Sequence, residues 1–310
     1  MSDNSGEKSF QLPSFCKINW HLRVLGKRAD GFHELCTIFQ TVSLFDRLTF
    51  SESENLLLAC TDKNLPADER NLVIKAAKLL QDDFDISKGA KIYLEKNIPS
   101  PGGLGGGSSN AAIALLGLAK LWNLKIGFSD LLNFAKRLGS DVPFFLYGGT
   151  ALGTRRGSEI FPLPNIEEKF ILIVTPDEIV STSEAFARLK ATNLTNFESK
   201  SILQICRKEA LKFNPRQGSL KNDFESRVFD FAPETKRVKE TLFDLGARTA
   251  LLSGSGASVF CIFDTKETRQ TAQKALTVEK TWRSFAVATV SRDEYREALD
   301  KVSGLLPISF

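Results

Sequence analysis

Residues 99–112, PSPGGLGGGSSNAA, combine closely spaced glycines with two serines directly before an apolar helical pattern. Glycines let backbone N–H groups approach a ligand closely, and a helix N-terminus adds unpaired donors and the positive end of the helix dipole. This arrangement favours an anion site, above all for nucleotide phosphates. The candidate residues are Pro99, Gly102, Gly103, Leu104, Gly105, Gly106, Gly107, Ser108 and Ser109. The alternative is a flexible linker, although linkers are not normally followed by a strong helical pattern.

Three polar residues lie where a fold would hold their side chains in place. Lys17 and Asn19 fall on the polar face of a period-two pattern over residues 15–25, which predicts a half-buried strand. Asp141 follows the glycine that ends a predicted helix and precedes an apolar run, so its carboxylate would be fixed and partly dry. The alternatives are a plain solvated strand face for Lys17 and Asn19, and a turn or helix-capping role for Asp141.

Two further segments are candidates for ligand contact. Phe32 and His33 follow a turn-rich basic loop, where an aromatic side chain beside a histidine can pack on a ring and hydrogen-bond its edge. The alternative is a core phenylalanine beside a histidine with satisfied hydrogen bonds. A second glycine loop, residues 253–258, carries six small residues, which suggests backbone exposed to a ligand. A hairpin turn between two strands is the alternative there.

Composition narrows the class of protein. The chain has 310 residues, enough for two domains or one large one, and its net charge of +4 is too weak and evenly spread to favour a nucleic-acid partner. The five cysteines have no CxxC pairing, so we expect reduced thiols rather than a disulfide framework or zinc site. Because no apolar run approaches ~20 residues and the first dozen residues do not resemble a signal peptide, we expect a cytoplasmic protein without a membrane partner. The start up to Lys8 is expected to be disordered.

Hydrophobic periodicity predicts an α/β protein in which strands and helices position these candidates. The predicted strands are 15–25, 36–50, 55–60, 90–96, 169–176, 248–252, 259–263 and 285–290. The predicted helices are 71–80, 109–122, 130–139 (capped by Ser129), 184–189 and 265–276, with further helix and loop over 193–243. A loop-like charged stretch before residue 169 places a domain boundary at 166/167, giving domains 1–166 and 167–310.

Four segments together resemble the GHMP small-molecule kinases, a family that includes galactokinase, homoserine kinase and mevalonate kinase. They are CKINWHLRVLGKRADGFHEL (16–35), PSPGGLGGGSSNAA (99–112), LGSDVPFFLYGGTALGTRRG (138–157) and LLSGSGASVF (251–260). The resemblance implies an N-terminal domain like ribosomal protein S5 and a C-terminal ferredoxin-like α/β sandwich, with the active site in the cleft between them. It also implies ATP as phosphoryl donor, Mg²⁺ arriving with ATP, and a small alcohol as acceptor.

The resemblance also implies roles for single residues. Asp141 matches the catalytic base and Lys17 its partner lysine. Asn19, Phe32 and His33 match the substrate pocket and its cytosine site, and Thr182 with Gly254, Ser255 and Gly256 match segments that close on the substrate. Residues 103–109 match the ATP phosphate loop, Asn71 and Lys96 match positions near the nucleotide, and Ser108 or Ser109 is a candidate hydroxyl for Mg²⁺. Two departures from the family pattern are Phe32, where tyrosine is common, and Pro101, where another glycine is usual.

The resemblance of the first motif, residues 16–35, implies an acceptor that carries a diphosphocytidyl group and is phosphorylated on its 2-hydroxyl, in isoprenoid-precursor biosynthesis. Two other readings remain open. One is a GHMP kinase of the homoserine or mevalonate type. The other is a catalytically silent sensor; such a protein could lose Lys17 or Asp141, but both are present in this chain. We expect a monomer or a homodimer.

Overall fold

The computed structural model describes residues 9–189, 191, 196–217 and 220–307, so the predicted disorder of residues 1–8 lies outside the described residues. The strands are Phe10–Lys27 (β1), His33–Ser53 (β2), Leu56–Cys60 (β3), Gly89–Glu95 (β4), Thr150–Arg155 (β5), Glu159–Pro162 (β6), Ile171–Pro176 (β7), Lys221–Asn222 (β8), Thr249–Leu252 (β9), Val259–Ile262 (β10) and Trp282–Val287 (β11). The helices are Leu72–Phe84 (α1), Gly106–Leu121 (α2), Phe128–Leu138 (α3), Thr182–Arg188 (α4), Asn196–Ala210 (α5), Glu225–Phe229 (α6), Pro233–Asp244 (α7), Lys266–Ala275 (α8) and Arg292–Ala298 (α9). Short 3₁₀ turns cover Val142–Leu146, Leu276–Val278 and Asp300–Leu305.

The larger sheet is built around the long antiparallel pair β1 and β2. Its strand order is β3-β4-β2-β1-β8, with β5 paired to β2 and β6 paired to β5. The register pairs Lys17 with Thr41 and Asn19 with Phe39. Helix α2 packs against both β1 and β2, and it is buried almost all round because α1 and α3 cover its other sides. This packing fixes the start of α2, which carries the glycines, against the strand that carries Lys17.

The second sheet is antiparallel, with strand order β11-β7-β10-β9. The continuous apolar run predicted as a strand forms β7, whose residues are all buried. Helix α7 packs against β7, β9 and β10, and α8 packs against β7 and β11. The α/β class predicted from the sequence is therefore confirmed, while the boundary at 166/167 stays a prediction.

Several helix and strand limits differ from the predictions. Helix α2 begins at Gly106, three residues before the predicted start, because Gly105 adopts a left-handed conformation as the N-cap. The predicted capping by Ser129 is wrong. Helix α3 begins two residues before its predicted start, Gly127 is its N-cap, and the Asp130 carboxylate accepts from the Gly127 N–H at 3.3 Å. Strand β11 begins three residues before its predicted start.

Helix α9 was not predicted. Its Tyr295 is fully buried in the core of the larger sheet and donates to the Phe145 carbonyl at 2.6 Å. All five cysteines have free thiols. Among the described residues, no helix has both the length and the apolar character needed to cross a bilayer.

Candidate active site

A cavity of about 870 Å³ is lined by segments that are widely separated in the sequence. β1, the two glycine loops, the segment around Asp141, the turn before β2 and helix α4 all contribute to it. The predicted site residues that line it are Lys17, Asn19, Phe32, His33, Gly103, Gly105, Ser108, Asp141, Thr182, Gly254 and Ser255. The fold thus brings most of the predicted site residues to one place.

The first glycine loop, residues 102–107, depends on glycine at two positions of positive φ. Gly103 has φ +70°, and a Cβ there would lie 2.1 Å from the Ser253 carbonyl oxygen. Gly105 has φ +69°, and a Cβ there would lie 2.9 Å from the Phe145 ring. The first turn of α2 follows directly, with backbone N–H groups that have no acceptor within the helix. Its Ser108 lines the cavity, so this end of the helix is suited to an anion.

The second glycine loop, residues 253–258, joins the antiparallel strands β9 and β10, so the hairpin alternative is correct for its topology. It also lines the cavity and contacts the first loop. The Ser253 hydroxyl donates to the Gly103 carbonyl at 3.1 Å, and the Ser258 N–H donates to the Gly102 carbonyl at 3.2 Å. Each loop therefore braces the backbone of the other.

Lys17 and Asp141 meet at the wall of this cavity, with Nζ 3.7 Å from Oδ2. The Lys17 ammonium also donates to the Asn19 amide oxygen at 2.7 Å and to the Gly103 carbonyl at 2.8 Å. Lys17 is 2% exposed, so neither it nor Asn19 lies on a solvated strand face. Burial lowers the pKa of Lys17 from its ordinary value, and the charge of Asp141 opposes this shift.

The Asp141 carboxylate does not cap the 3₁₀ turn that follows it. Its backbone carbonyl accepts the first turn bond, from Phe144, while one third of the side chain is exposed beside the cavity. The capping alternative is therefore excluded for this side chain, which is free to contact a ligand.

Several residues of the predicted nucleotide site make other contacts. Lys96 forms a buried ion pair with Asp46, at 2.8 Å between Nζ and Oδ2. The Asn71 amide caps helix α1 by accepting from the Val73 N–H. Ser109 is fully buried and accepts from the Ser14 hydroxyl at 2.7 Å. Of the two candidate serines for Mg²⁺, Ser108 is therefore the one that lines the cavity.

The remaining predicted residues of the two loops are buried or determine the conformation of the loop backbone. Leu104 is buried, and its carbonyl accepts from the Lys17 N–H at 3.0 Å. Pro99 is buried beside Gly102, and Gly256 has φ +97° next to Val180. The Ser100–Pro101 bond is cis.

The far end of the cavity is aromatic. The His33 ring stacks on Phe186 of α4, with ring centroids 4.8 Å apart and an interplanar angle of 24°. Phe32 is 49% exposed rather than a core residue, and the Arg156 guanidinium lies 5.1 Å from its ring centroid. Burial lowers the pKa of His33 below its ordinary value, and the charge of Lys27 lowers it further.

Sequence reasoning missed several residues that shape this site. Phe186 and Arg156 line the cavity, Thr37 accepts from the Asn19 amide at 2.7 Å, and Asn222 donates to the Gly254 carbonyl at 2.7 Å. Asp46 was also missed, although a charged residue within the apolar strand segment LFDRLTF is a signal of a buried polar role. Within the described residues, no group of three or more His, Cys, Asp or Glu side chains is placed to hold a metal ion.

Comparisons with known proteins agree with this architecture. Residues 71–149 match the family of GHMP kinases N terminal domains, and residues 203–280 match that of GHMP kinases C terminal domains. The 4-diphosphocytidyl-2-C-methyl-D-erythritol kinase of Solibacter usitatus is 39% identical over 92% of this chain and 90% of its own length. The kinase of the same name from Chlorobium limicola is 40% identical over 83% of this chain and 89% of its own length.

Solved structures give the same result. A crystal structure of 4-(cytidine 5'-diphospho)-2C-methyl-D-erythritol kinase superposes with a TM-score of 0.73 at 31% identity, covering 90% of this chain and 99% of the other. The homoserine kinase from Cytophaga hutchinsonii superposes with a TM-score of 0.67 at 20% identity, covering 94% and 97%, and shares the fold. The chain therefore belongs to the GHMP kinases and, among them, to the family of 4-diphosphocytidyl-2-C-methyl-D-erythritol kinases.

Proposed function

We propose that this chain transfers the γ-phosphoryl group of ATP to the 2-hydroxyl of 4-diphosphocytidyl-2-C-methyl-D-erythritol, giving the 2-phosphate and ADP, in the non-mevalonate pathway to isoprenoid precursors. One observation carries the proposal. The Lys17–Asp141 pair, the His33–Phe186 stack and the first glycine loop line the same cavity. A kinase whose acceptor alcohol carries a nucleotide base needs both a site for phosphoryl transfer and a site for the base.

At the glycine end, phosphoryl transfer requires alignment and charge stabilisation more than covalent chemistry. Backbone N–H groups of the first glycine loop and of the α2 N-terminus bind the β- and γ-phosphates. The 2-hydroxyl oxygen forms a bond to the γ-phosphorus as the bond to the β,γ-bridging oxygen breaks, and Asp141 accepts the hydroxyl proton. The Lys17 ammonium, whose position Asn19 fixes, stabilises negative charge on the transferring group.

Mg²⁺ enters with ATP in this proposal, and the donor set suits it. The Ser108 hydroxyl lines the cavity, and Mg²⁺ prefers such oxygen ligands together with phosphate and water. Bound there, the ion would neutralise charge on the phosphates and orient them.

At the aromatic end, His33 hydrogen-bonds the edge of the cytosine ring while Phe32 provides apolar surface for its face, and Phe186 holds the His33 ring by stacking on it. Stacking of a base on an aromatic side chain contributes about 1–3 kcal/mol in related complexes. Thr182 and Ser255, whose hydroxyls lie 2.8 Å apart, join the two sides of the cavity near the substrate.

Three coarser assignments accompany this function. The two domains are 1–166 and 167–310, with the cavity between them. The free thiols favour the cytoplasm, a reducing compartment. The protein acts as a monomer or a homodimer.

The direct test is an assay of the purified protein with ATP, Mg²⁺ and a panel of acceptor alcohols. ADP release that depends on 4-diphosphocytidyl-2-C-methyl-D-erythritol, with phosphate on its 2-oxygen by ³¹P NMR, supports the proposal. Faster turnover of homoserine or mevalonate would instead assign another GHMP specificity. ATP binding without turnover of any acceptor would favour a ligand sensor.

A further inference from the structure

Asp46 of β2 is a fully buried carboxylate that accepts four hydrogen bonds. Oδ2 accepts from Lys96 Nζ at 2.8 Å and from Asn110 Nδ2 at 2.9 Å. Oδ1 accepts from the backbone N–H groups of Asn97 and Ile98 at 2.7 and 2.8 Å. Burying a charge is costly unless it is paired and hydrogen-bonded, and here the fold provides both.

These four donors lie on the two sides of the first glycine loop. Residues 96–98 form the segment that enters the loop from β4, and Asn110 lies in the first turns of α2, which leaves it. The Lys96 ammonium also donates to the Ile98 carbonyl at 2.5 Å, and a Cβ at Gly106 would lie 3.0 Å from Nζ. The Asp46 carboxylate therefore connects both ends of the first glycine loop to strand β2.

A second link strengthens the exit side. The Asn110 amide also donates to the Ser14 hydroxyl of β1 at 2.9 Å, and Ser14 in turn donates to Ser109 of α2 at 2.7 Å. Ser14, Asp46, Ser109 and Asn110 are buried and hydrogen-bonded within this network, so rotation of one of them would leave others without partners. Such a network holds the backbone between residues 98 and 110 in one geometry.

We propose that Asp46 is a positioning residue for the phosphates of ATP, acting through Lys96 and Asn110 on the glycine loop rather than by touching the nucleotide. The inference rests on the proposed function, because it assumes that the loop binds phosphates. A glycine-rich backbone has little stiffness of its own, so the alignment of its N–H groups depends on its two ends.

The test compares two isosteric replacements of buried carboxylates. Asp46→Asn keeps the shape but loses the charge and places an amide donor against Lys96 and Asn110. Glu168→Gln is the matched control. Glu168, which precedes strand β7 in the sequence, is as buried as Asp46 and pairs with Arg216 at 2.9 Å. We expect Asp46→Asn to raise the Kd of a non-hydrolysable ATP analogue, measured by calorimetry, by about 10- to 100-fold, the loss expected for charged hydrogen bonds. Glu168→Gln should leave that Kd within about twofold even if it lowers the melting temperature as much.

In steady-state assays, Asp46→Asn should raise the KM for ATP and leave the KM for the acceptor alcohol unchanged, which a merely structural role would not produce. Equal effects of the two variants on nucleotide affinity, or no effect of a folded Asp46→Asn, would overturn the proposal. If Asp46→Asn does not fold, Asn110→Ala removes only one of the hydrogen bonds to Asp46, the one from helix α2. This variant should raise the KM for ATP by a smaller factor and leave the KM for the acceptor alcohol unchanged. Binding of the analogue needs no acceptor, so this result is independent of whether the acceptor assignment is correct.

Discussion

The two ends of the cavity are built by different means. At the glycine end, Lys17 is 2% exposed and is held by three polar partners, and the loop backbone is fixed by buried hydrogen bonds. At the aromatic end, Phe32 is 49% exposed. Its loop is held by Arg28, which pairs with the half-exposed Asp30 and, at 2.8 Å, with the buried Glu34.

This difference separates two tasks. Phosphoryl transfer needs groups held in a fixed geometry in a dry environment, because alignment and low local polarity set the rate. Recognition of a flat base tolerates an open, partly mobile surface, because stacking has little directional demand. We therefore expect substitutions at the glycine end to act on rate and ATP use, and substitutions at the aromatic end to act on acceptor affinity alone.

The largest effect is expected from Asp141→Asn. It removes the base without changing the size of the side chain, so kcat should fall by about 10²- to 10⁴-fold. Single-turnover kinetics would measure this loss, and calorimetry should show nearly unchanged binding of the ATP analogue. Near-full turnover of this variant would exclude Asp141 as the base.

The next largest effect is expected from Gly103→Ala. The new Cβ would lie 2.1 Å from the Ser253 carbonyl at φ +70°, so the two glycine loops must move apart. Displacement of about 1 Å at a reacting site costs on the order of 100-fold in rate, and we expect kcat/KM for ATP to fall by that amount. Gly304→Ala is the control, because nothing lies within 4 Å of its new methyl group. An equal loss in both variants would show that the assay reports general destabilisation.

A smaller effect, confined to the acceptor, is expected from His33→Ala. Loss of one hydrogen bond and of the stack on Phe186 should raise the acceptor KM by about 10-fold, with the KM for ATP unchanged. The chain has two histidines, and His21→Ala, which removes a ring packed near Phe213, is the matched control. Equal loss of ATP and acceptor affinity in His33→Ala would contradict the division between the two ends.

The smallest effect is expected from pH. The pKa of His33 is lowered from its ordinary value near 6.5, so the imidazole is neutral at pH 7 and stays neutral somewhat below pH 6.5. The acceptor KM should therefore be flat from pH 8 down to pH 6.5 and change by about 3-fold at lower pH, as the ring gains its proton. The His33→Ala variant should lack this acid-side change, and persistence of the change in that variant would assign it to another group.

Much of the site was predictable because its residues leave local signals. The glycines at 102–107 have no structural use in an ordinary helix start, and the alternation around Lys17 fixes which side of β1 it occupies. The apolar run after Asp141 predicted that this residue would be held at the edge of the core. The kinase family and the two-domain fold inferred from these motifs are confirmed. The roles assigned to single residues remain predictions.

Other features had no local signal. Phe186 looks like any core residue of an amphipathic helix until α4 is packed beside the turn that carries His33. Lys96 and Asp46 are fifty positions apart, and nothing near either residue in the sequence names its partner. Helix α9 was missed for the same reason, because burial of Tyr295 against the first core favours it more than its own short and polar sequence does.

The sequence by itself predicted most of the elements, which depend on residue types at short, regular spacing, and its motifs indicated the family by their resemblance to known kinases; binding of phosphates by the glycine loop stays a prediction. Only the tertiary structure decided that Asp141 faces Lys17, that the second glycine loop braces the first, and that one buried carboxylate holds both ends of the loop. Contacts between distant segments depend on how sheets and helices pack, and that packing is a property of the whole chain.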